Sequence, residues 1–435
     1  MAEQITTKDP EEELPSEATA ARIYRILGPG LITGAADDDP SGIATYSQAG
    51  AQFGYALGWA MFLTYPLMAA VQVIAGRMGR TTGLGLSGVF ERHLPRGIVA
   101  ALVTLLMLAN TINLGADLSA MADATGLLIG LPKALCLVAF TAFCVLSQTL
   151  FNYTRYVAIL KWLTLSLLAY VATLAIVEIE WREFAVRLLA PGLRVDRELL
   201  TTLVAVLGTT ISPYLLFWQA AQEGEEVRRR PERQPLRRRP GQGSAAVSRI
   251  NVDTLSGMAF SNIVALAIMT TAAATLHKNG GVHIESSTQA AEALRPLAGD
   301  AAFALFTLGI VGTGLLAVPV LAGSAGYAVA EAGRWKSGLG ERPKEAPVFY
   351  ITLAAATAAG MLIAFLPLNP VRLLYWSAVI NGVIVVPIMA AMMLLATRSS
   401  IMGKFAIRGS VSWLGWVTTV AMAAAGIVMI AFWFV

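Results

Sequence analysis

The sequence predicts an all-helical integral membrane protein in which two inverted repeats of five spans are followed by an eleventh span. Three observations indicate this architecture. The chain is 56% hydrophobic and only 14% charged, with a mean hydropathy of +0.63, whereas soluble domains carry about 25% charged residues. Apolar stretches long enough to cross a bilayer recur along the whole chain. Two of them, five spans apart, are interrupted by proline at mid-span, as expected of helices broken at corresponding positions of two repeats.

Eleven candidate spans follow one another, each at least as long as the roughly 20 predominantly apolar residues that a membrane span needs. They cover residues 28–51, 56–76, 98–129, 132–152, 157–178, 200–222, 254–276, 301–331, 348–367, 370–397 and 411–435. Residues 1–21 are polar and acidic and lack the regions of a signal peptide, so we expect a disordered cytoplasmic tail there. The transmembrane domain (22–435) then comprises a first repeat (22–199), a second repeat (200–397) and a last helix (398–435).

Lysine and arginine concentrate after the even-numbered spans, which sets the expected orientation. The strongest run lies in the loop 223–250 after the sixth span, whereas residues 52–55 and 366–370, after the first and ninth spans, carry no charge. We therefore expect a multi-pass protein of the inner (plasma) membrane, with its amino terminus in the cytoplasm and its carboxyl terminus outside. The loop 223–250 either binds anionic lipid headgroups or is a solvated determinant of this orientation.

The first interruption places three consecutive carboxylates inside an apolar stretch. The segment from Gly34 to Gly42 reads Gly-Ala-Ala-Asp-Asp-Asp-Pro-Ser-Gly, with apolar sequence on both sides. Charge at the centre of a span is expensive and indicates a functional site, and Pro-Ser-Gly cannot continue a regular helix. A broken helix frees backbone carbonyls beside the carboxylates, which suits a hard cation. Alternatively, the span begins later and the aspartates cap it from a loop; the apolar run up to Ala36 argues against this.

The sixth span carries the matching interruption. It reads Gly-Thr-Thr-Ile-Ser-Pro-Tyr from Gly208 to Tyr214, with Pro213 at mid-span after small polar residues. A lone proline in a membrane helix often produces only a kink. Two breaks at corresponding places of a five-plus-five repeat, however, meet near the middle of the membrane, and we expect the functional site there.

Asp39 is the expected primary metal ligand, because it directly precedes the helix break at Pro40 and Ser41. Asp38 and Asp37 are weaker candidates: one faces an aqueous vestibule and attracts cations, and one caps a half-helix. Unwinding frees backbone carbonyls. The other candidates at the breaks are the carbonyls of Ala36 and Thr209 and the hydroxyl groups of Ser212 and Tyr214, which we expect to hold coordinated water.

A polar stripe follows one face of the third span. Asn110, Asn113 and Asp117 recur at spacings of three and four residues, which places them on one side of a helix. Such a stripe lines either an ion path or a buried hydrogen-bond network. Asn381, in the tenth span, is a further path candidate. The expected ion path comprises these four residues with Asp37 and Tyr214.

The two broken spans resemble those of the Nramp divalent metal transporter family, and the likeness covers nearly the whole chain. The run from Gly28-Pro29-Gly30 to Asp39-Pro40 is similar to the family's first helix, whose break reads Asp-Pro-Gly-Asn; the family's sixth helix reads Ala-x-x-Met-Pro-His. The corresponding residues here are Ser41 for the glycine, Gly42 for the asparagine, Thr209 for the alanine, Ser212 for the methionine and Tyr214 for the histidine. The resemblance implies a LeuT-type fold, with spans 1–5 and 6–10 as inverted repeats, that carries divalent cations by alternating access.

The departures from the family's motif favour a hard cation. Methionine is a soft ligand that favours transition metals, and Ser212 removes it. Loss of the asparagine side chain at Gly42 widens the metal site. Mg²⁺ keeps several waters and binds through one or two carboxylates, so the chain resembles the Nramp-related magnesium transporters. We expect it to carry largely hydrated Mg²⁺, and also Mn²⁺. We expect no resident cofactor and no nucleic acid; the expected partners are the transported ion and membrane lipid, and the oligomeric state stays open.

Proton coupling is not expected. The family's third helix reads Asp-Leu-Ala-Glu, with its acids on the proton route, whereas Asp117-Leu118-Ser119-Ala120 lacks the glutamate. A phenol, with an unperturbed pKa of about 10, is a poor proton relay near neutral pH. The alternative is proton-coupled Mn²⁺ or Fe²⁺ transport of the ordinary Nramp type.

Two other function classes are disfavoured. One is an amino acid carrier of the same architecture. The three adjacent carboxylates at the first break would repel the anionic group of its substrate. An enzyme such as an aspartyl protease would pair Asp39 with Asp117, but no Gly-x-Gly-Asp-type motif accompanies them. We therefore expect a transporter and not an enzyme.

Overall fold

The computed structural model describes residues 29–150, 167–190, 192, 195–230, 232–278, 280 and 283–434, and the regular structure of these residues is helical. The α-helices are α1 (Pro29–Asp37), α2 (Pro40–Phe53), α3 (Gly58–Thr82), α4 (Leu86–His93), α5 (Arg96–Ile129), α6 (Lys133–Leu150), α7 (Leu168–Leu174), α8 (Trp181–Leu189), α9 (Arg197–Thr210), α10 (Pro213–Arg229), α11 (Gly243–Ala272), α12 (Ser287–Ala291), α13 (Arg295–Ala298), α14 (Ala302–Ala332), α15 (Pro347–Ala364), α16 (Pro370–Ala396), α17 (Ser399–Met402) and α18 (Gly409–Phe434). A π-helical turn (Ala273–His277) extends α11, and 3-10 turns lie at Gly54–Leu57, Pro240–Gln242, Glu292–Leu294, Gly299–Ala301 and Gly403–Phe405.

Nine helical segments in the described part of the chain are long and apolar enough to cross a membrane. They account for ten of the eleven predicted spans, although α1, the first half of the first span, lies outside them. The segment Pro40–Thr82 joins the second half of the first span to the second span through a 3-10 turn. Of the fifth predicted span (157–178), residues 157–166 lie outside the described residues, and α7 forms part of the remainder. The predicted tail (1–21) also lies outside them. The chain is a multi-pass membrane protein.

Glycines at the helix crossings bring the central helices into backbone contact. A Cβ atom at Gly115 of α5 would lie 2.9 Å from the carbonyl oxygen of Gly360 in α15. A Cβ atom at Gly208 of α9 would lie 2.7 Å from the Cα atom of Gly382 in α16. In a bilayer, where lipid is as apolar as leucine, such close approach provides the packing that holds helices together.

Both broken spans restart at a proline. α1 ends at Asp37 and α2 begins at Pro40, while α9 ends at Thr210 and α10 begins at Pro213. Proline fits the first position of a helix because the N–H that it lacks would have no partner there. The preceding residue is extended in each case, with φ −68° and ψ 170° at Asp39 and φ −82° and ψ 141° at Ser212. The breaks therefore lie where the two prolines predict them.

Candidate metal site

Asp39 lies at the first break and caps the helix that follows. Its Oδ1 atom accepts hydrogen bonds from the backbone N–H of Gly42 at 2.8 Å and from the hydroxyl of Ser41 at 2.6 Å. This is the geometry of an N-cap, in which a carboxylate satisfies N–H groups that have no helical partner. The cap fixes the carboxylate in one orientation, with its second oxygen turned towards α5 and α10.

That second oxygen, Oδ2, meets side chains from two other helices. It accepts a hydrogen bond from Asn113 Nδ2 at 3.0 Å and lies 3.3 Å from the hydroxyl of Tyr214. The same hydroxyl donates to the carbonyl oxygen of Ala36 at 2.9 Å. The amide oxygen of Asn113 accepts in turn from the hydroxyl of Ser377 on α16, at 2.8 Å. Three predicted site residues, Asn113, Tyr214 and Ala36, are therefore joined to the carboxylate of Asp39 in one hydrogen-bond network.

The second break faces the first across Gly42. The Ser212 hydroxyl lies 2.8 Å from the carbonyl oxygen of Gly208 and 2.9 Å from that of Thr209, and it can donate its one hydrogen to only one of them at a time. A Cβ atom at Gly42 would lie 3.2 Å from Oγ1 of Thr209 and 3.3 Å from the ring of Tyr46. The widening expected at Gly42 is therefore limited, because Thr209 and Tyr46 occupy much of the space that an asparagine would fill.

Asp37 and Asp38 face α11. The hydroxyl of Ser261 lies 2.6 Å from Oδ2 of Asp37 and 3.1 Å from Oδ1 of Asp38. A hydroxyl has one hydrogen, so it can satisfy only one of the two carboxylates at a time. The remaining oxygens, Asp37 Oδ1 and Asp38 Oδ2, are buried without a hydrogen-bond partner among the described residues. Ser261 was not among the predicted site residues; its only signal in the sequence is a serine within an apolar span.

The other predicted path residues divide into two groups. Asn110 donates to the carbonyl oxygen of Leu321 and to the hydroxyl of Ser324, at 2.9 and 2.7 Å, and thereby joins α5 to α14 in a buried network. Both carboxylate oxygens of Asp117 and both amide atoms of Asn381 are buried and lack a partner within the described chain. These two side chains retain the hydrogen-bonding capacity that water or an ion would use.

Four carboxylates are buried in this region without a compensating cation. Asp37, Asp38 and Asp117 are fully buried and Asp39 is 2% exposed, and no Lys, Arg or His in the described residues forms an ion pair with any of them. Isolated buried charge is strongly unfavourable. No group of three or more His, Cys, Asp or Glu within the described ranges is arranged to hold a metal ion. The donors are therefore oxygen atoms of carboxylate, hydroxyl and carbonyl groups, which suit a cation that retains water.

The half-helix α1 is packed tightly at the end of the protein where the even-numbered spans finish. The backbone N–H of Gly30 donates to Oδ2 of Asp253 at 2.7 Å, and the hydroxyl of Thr33 donates to Oε1 of Gln219 at 2.6 Å. Gly34 lies directly against the backbone of Gly257, with no room for a Cβ atom. The half-helix therefore has little free space around it at this end of the protein.

A cavity of about 480 Å³ lies towards the opposite end. It is lined by Gln48, Gln52, Arg197, Glu198, Thr201, His283, Ile284, Glu285, Val371, Arg372, Tyr375, Trp376 and Trp433. Gln48 is nine residues beyond Asp39, about 13 Å along α2. The wall combines α2, α9 and α16, the elements that also surround the two breaks. The two ends of the protein thus differ, with tight packing around α1 at one end and a cavity at the other.

The sequence matches the family described as Nramp, natural resistance-associated macrophage protein-like, over residues 30–432. Among curated relatives, the chain is 26% identical to the divalent metal cation transporter MntH of Acidiphilium cryptum over 393 residues, which cover 88% of this chain and 84% of the relative.

Among solved structures, the fold is similar to the manganese transporter of Eremococcus coleocola in complex with an aromatic bis-isothiourea substituted compound. The TM-score is 0.74 at 16% identity, over 99% of this chain and 92% of that one. It is also similar to MhsT in complex with L-phenylalanine, with a TM-score of 0.55 at 14% identity over 93% and 97% of the two chains. At these identities the likeness concerns the fold alone, and it confirms the predicted LeuT-type architecture.

Proposed function

The chain belongs to the Nramp family, and from that premise we propose that it is a divalent metal cation transporter that binds its ion at Asp39, between the two helix breaks. Ala36, Thr209 and Gly42 complete the site with backbone groups, and Ser212 and Asp38 contribute side-chain oxygens. The transported ion is the substrate, not a resident cofactor. The family's curated relatives are transporters, and the chain has the same role rather than an enzymatic one.

The observation that carries this proposal is the set of four buried carboxylates without a cationic side chain. In a membrane interior such charges need a counter-ion, and ionisable residues there mark ion pathways. Asp39 supplies a carboxylate whose orientation is fixed by the cap at Ser41 and Gly42. A preorganised oxygen site that lacks only positive charge is what a cation transporter requires.

We infer that the preferred ion is Mg²⁺, with Mn²⁺ also accepted. Ser212 provides no soft sulfur ligand, which would favour a transition metal. Hydrogen-bond donors already surround Asp39, and the Tyr214 hydroxyl lies between its Oδ2 atom and the carbonyl of Ala36. A metal-bound water can donate to the phenol oxygen of Tyr214 and to the Asp39 carboxylate, so an ion that keeps its water shell can bind there, and Mg²⁺ releases water reluctantly.

Transport in this proposal is not coupled to protons. Ala120 stands where the family's third helix has a glutamate, and the membrane potential supplies about 2.3 kcal/mol per charge per 100 mV, which is doubled for a divalent ion. One observation favours the second candidate, proton-coupled Mn²⁺ or Fe²⁺ transport. Asp37 and Asp38 share the single hydroxyl of Ser261, and a proton would relieve the repulsion between two such carboxylates.

The difference between the two ends of the protein supports alternating access in this proposal. The closed end, where α1 packs on α11, bears the arginine-rich loops, and we place it in the cytoplasm by the positive-inside rule. The cavity beside Gln48 then opens the ion path from outside. Asp37, Asp117, Asn113, Asn110, Asn381 and Tyr214 line the path in this proposal.

Ion uptake into proteoliposomes tests the proposal, with Mg²⁺ and Mn²⁺ supplied separately and the internal pH recorded. The informative variant is Asp39→Asn, because asparagine also caps a helix and removes only the charge. Asp196→Asn is the matched control: Asp196 caps α9 through the N–H of Leu199 at 2.9 Å, but it is exposed.

We expect Mg²⁺ uptake without acidification in the wild type and in Asp196→Asn, and none in Asp39→Asn. Uptake of Mn²⁺ with acidification and no Mg²⁺ signal would replace this proposal with the proton-coupled candidate. Undiminished uptake of both ions by Asp39→Asn would remove Asp39 from the site.

A further inference from the structure

Exposed arginines from three loops form one surface at the closed end of the protein. The set, called the basic surface below, comprises Arg92, Arg237, Arg238, Arg239 and Arg398, all of them exposed. Arg92 lies in the short helix α4, within the connection between α3 and α5; the next three lie between α10 and α11, and Arg398 follows α16. His93 lies among them: burial lowers its pKa, and the positive charges of one arginine from each loop lower it further. The three loops therefore meet at this surface.

The turn that carries three of these arginines is fixed to the end of α3. The backbone N–H groups of Leu236 and Arg237 donate to the carbonyls of Arg80 and Thr81, at 3.3 Å in both cases. Those carbonyls lie in the last turn of α3, where helical partners run out. The side chain of Leu236 is fully buried. The turn is thus a defined part of the fold, not a loose loop.

The loop after α16 packs against the same region. The ring of Phe405 fills the space beside Gly243, the residue at which α11 begins. The N–H of Ile407 donates to the carbonyl of Ala396 at 3.0 Å and closes this loop on itself. These contacts keep Arg398 close to the turn that carries Arg237.

The arginines in the first part of the loop between α10 and α11 differ from those of the basic surface in their partners. Arg229 pairs with Glu225, while Arg230 and Arg233 pair with Glu226. No arginine of the basic surface forms an ion pair with a carboxylate in the described residues. Folding therefore neutralises the first part of the arginine run and leaves the second part available to an external anion.

Exposed apolar side chains border the basic surface on its membrane side. Ile98, Leu394 and Trp413 are 47%, 48% and 66% exposed, and they lie within two turns of the ends of α5, α16 and α18 from which the basic loops extend. Tryptophan is typical of the level of lipid headgroups. These three side chains, called the apolar wall below, therefore lie on the helix ends next to the loops that bear the basic surface.

We propose that the basic surface binds the headgroup of an anionic phospholipid, whose acyl chains lie along Ile98, Leu394 and Trp413. A soluble anion would use the arginines but not the apolar wall, and the adjacency of the two favours a lipid. Each basic residue near an anionic lipid surface contributes about fivefold to affinity. The three arginines of the turn together should then contribute on the order of 100-fold.

The test is the thermal unfolding midpoint, Tm, of the full-length protein in neutral detergent, titrated with short-chain phosphatidylglycerol or phosphatidylcholine. A ligand that binds the folded state raises Tm with its concentration. The informative variant is Arg237→Gln/Arg238→Gln/Arg239→Gln. The matched control, Lys336→Gln/Arg342→Gln/Lys344→Gln, removes three exposed charges from the loop between α14 and α15 at the same end of the protein.

We expect phosphatidylglycerol, but not phosphatidylcholine, to raise the Tm of the wild type and of the control. The turn variant should need on the order of 100-fold more phosphatidylglycerol for the same rise. The single variant Arg398→Gln, which lies outside the turn, should need about fivefold more phosphatidylglycerol for the same rise in Tm. It tests the proposal even if the triple variant folds poorly.

Three results would overturn the proposal. The first is an equal response of the turn variant and the control to phosphatidylglycerol, because the rise in Tm would then depend on the net charge of the protein and not on the arginines of the turn. The second is the same rise in Tm with inorganic phosphate as with phosphatidylglycerol, which would indicate a free anion. The third is a rise that persists undiminished in about 1 M salt, where the screening length falls to about 3 Å, because the arginines would then contribute nothing.

Discussion

Replacing Tyr214 with phenylalanine tests whether the site binds a hydrated ion. The hydroxyl donates to the carbonyl of Ala36 at 2.9 Å and lies 3.3 Å from Asp39 Oδ2. With a hydrated ion, the phenol oxygen accepts a hydrogen bond from a metal-bound water. It also keeps the oxygens of Ala36 and Asp39 from closing directly on the metal. Tyr214→Phe removes both effects without changing the charge of the site.

The magnitude follows from the bonds that are lost. A hydrogen bond to a charged group contributes about 1.5–3 kcal/mol, and water on Mg²⁺ donates in the same way, so Mg²⁺ should bind at least about tenfold more weakly. Mn²⁺ that binds the protein oxygens directly loses no such water-mediated hydrogen bond. It also gains the carbonyl oxygen of Ala36, which no longer accepts a hydrogen bond from residue 214. The ratio of the Mg²⁺ to the Mn²⁺ transport efficiency should fall about tenfold or more. The free energy of unfolding should fall by only about 1 kcal/mol, because one neutral hydrogen bond is removed.

The assay is competitive uptake into proteoliposomes, with kcat/KM for Mg²⁺ and Mn²⁺ measured on the same preparation. Tyr170→Phe is the matched control, because Tyr170 is a buried tyrosine of α7 whose hydroxyl has no partner in the described residues. An unchanged ratio in Tyr214→Phe, with both efficiencies intact, would show that no metal-bound water depends on the phenol. It would refute the hydrated-ion argument while leaving Asp39 as the binding residue.

Two further substitutions act at a distance from the ion. Gly34→Ala places a Cβ atom against the backbone of Gly257, and overpacking of this kind costs about 1–3 kcal/mol. Because α1 can then no longer pack closely on α11, ion uptake should slow about tenfold. Ser377→Ala removes the hydroxyl that orients the Asn113 amide at 2.8 Å, and the KM for Mg²⁺ should rise about fivefold with kcat unchanged.

Each of these changes has a matched control. A Cβ atom at Gly97 would meet nothing within 4 Å, so Gly97→Ala should transport normally; equal slowing in both glycine variants would point to a general loss of helix flexibility. Ser324 is a buried serine that bonds Asn110 instead of Asn113. If Ser324→Ala raises KM as much as Ser377→Ala does, orientation of the Asn113 amide is not the cause.

Much of the fold follows from local sequence. Hydropathy alone locates the spans, because a helix in lipid must be apolar over its length. Each proline predicts the start of a half-helix, because it has no N–H group to donate and therefore fits the first helical position. This property does not depend on the tertiary structure. Local sequence does not reveal that α2, the second half of the first predicted span, continues into the second span. The 3-10 turn at Gly54–Leu57 that joins them depends on a glycine at φ +58° packed beside His277.

The candidate site is less predictable, because most of its contacts join distant parts of the chain. Asp39 and its cap lie within four residues of each other and could be expected from the motif. Ser261 lies 224 residues from Asp37, and Ser377 lies 264 residues from Asn113. The sequence around each residue therefore does not predict its hydrogen-bond partner. The limited room at Gly42 has the same origin, because Thr209, which fills it, belongs to the other repeat.

Two hydrogen bonds among the described residues join the half-helix α1 to α10, and one of them involves the proposed ion site. Thr33 donates to Gln219, while Ala36 accepts from Tyr214; the two bonds are three positions apart on α1 and five on α10. A cation that takes the carbonyl of Ala36, directly or through water, replaces the Tyr214 bond and leaves the Thr33 bond unchanged. The free energy that closes this end of the protein therefore depends on whether the site is occupied. Since a ligand shifts a conformational equilibrium only by its differential affinity for the two states, the Ala36 carbonyl is the point at which ion binding can favour the opening of α1.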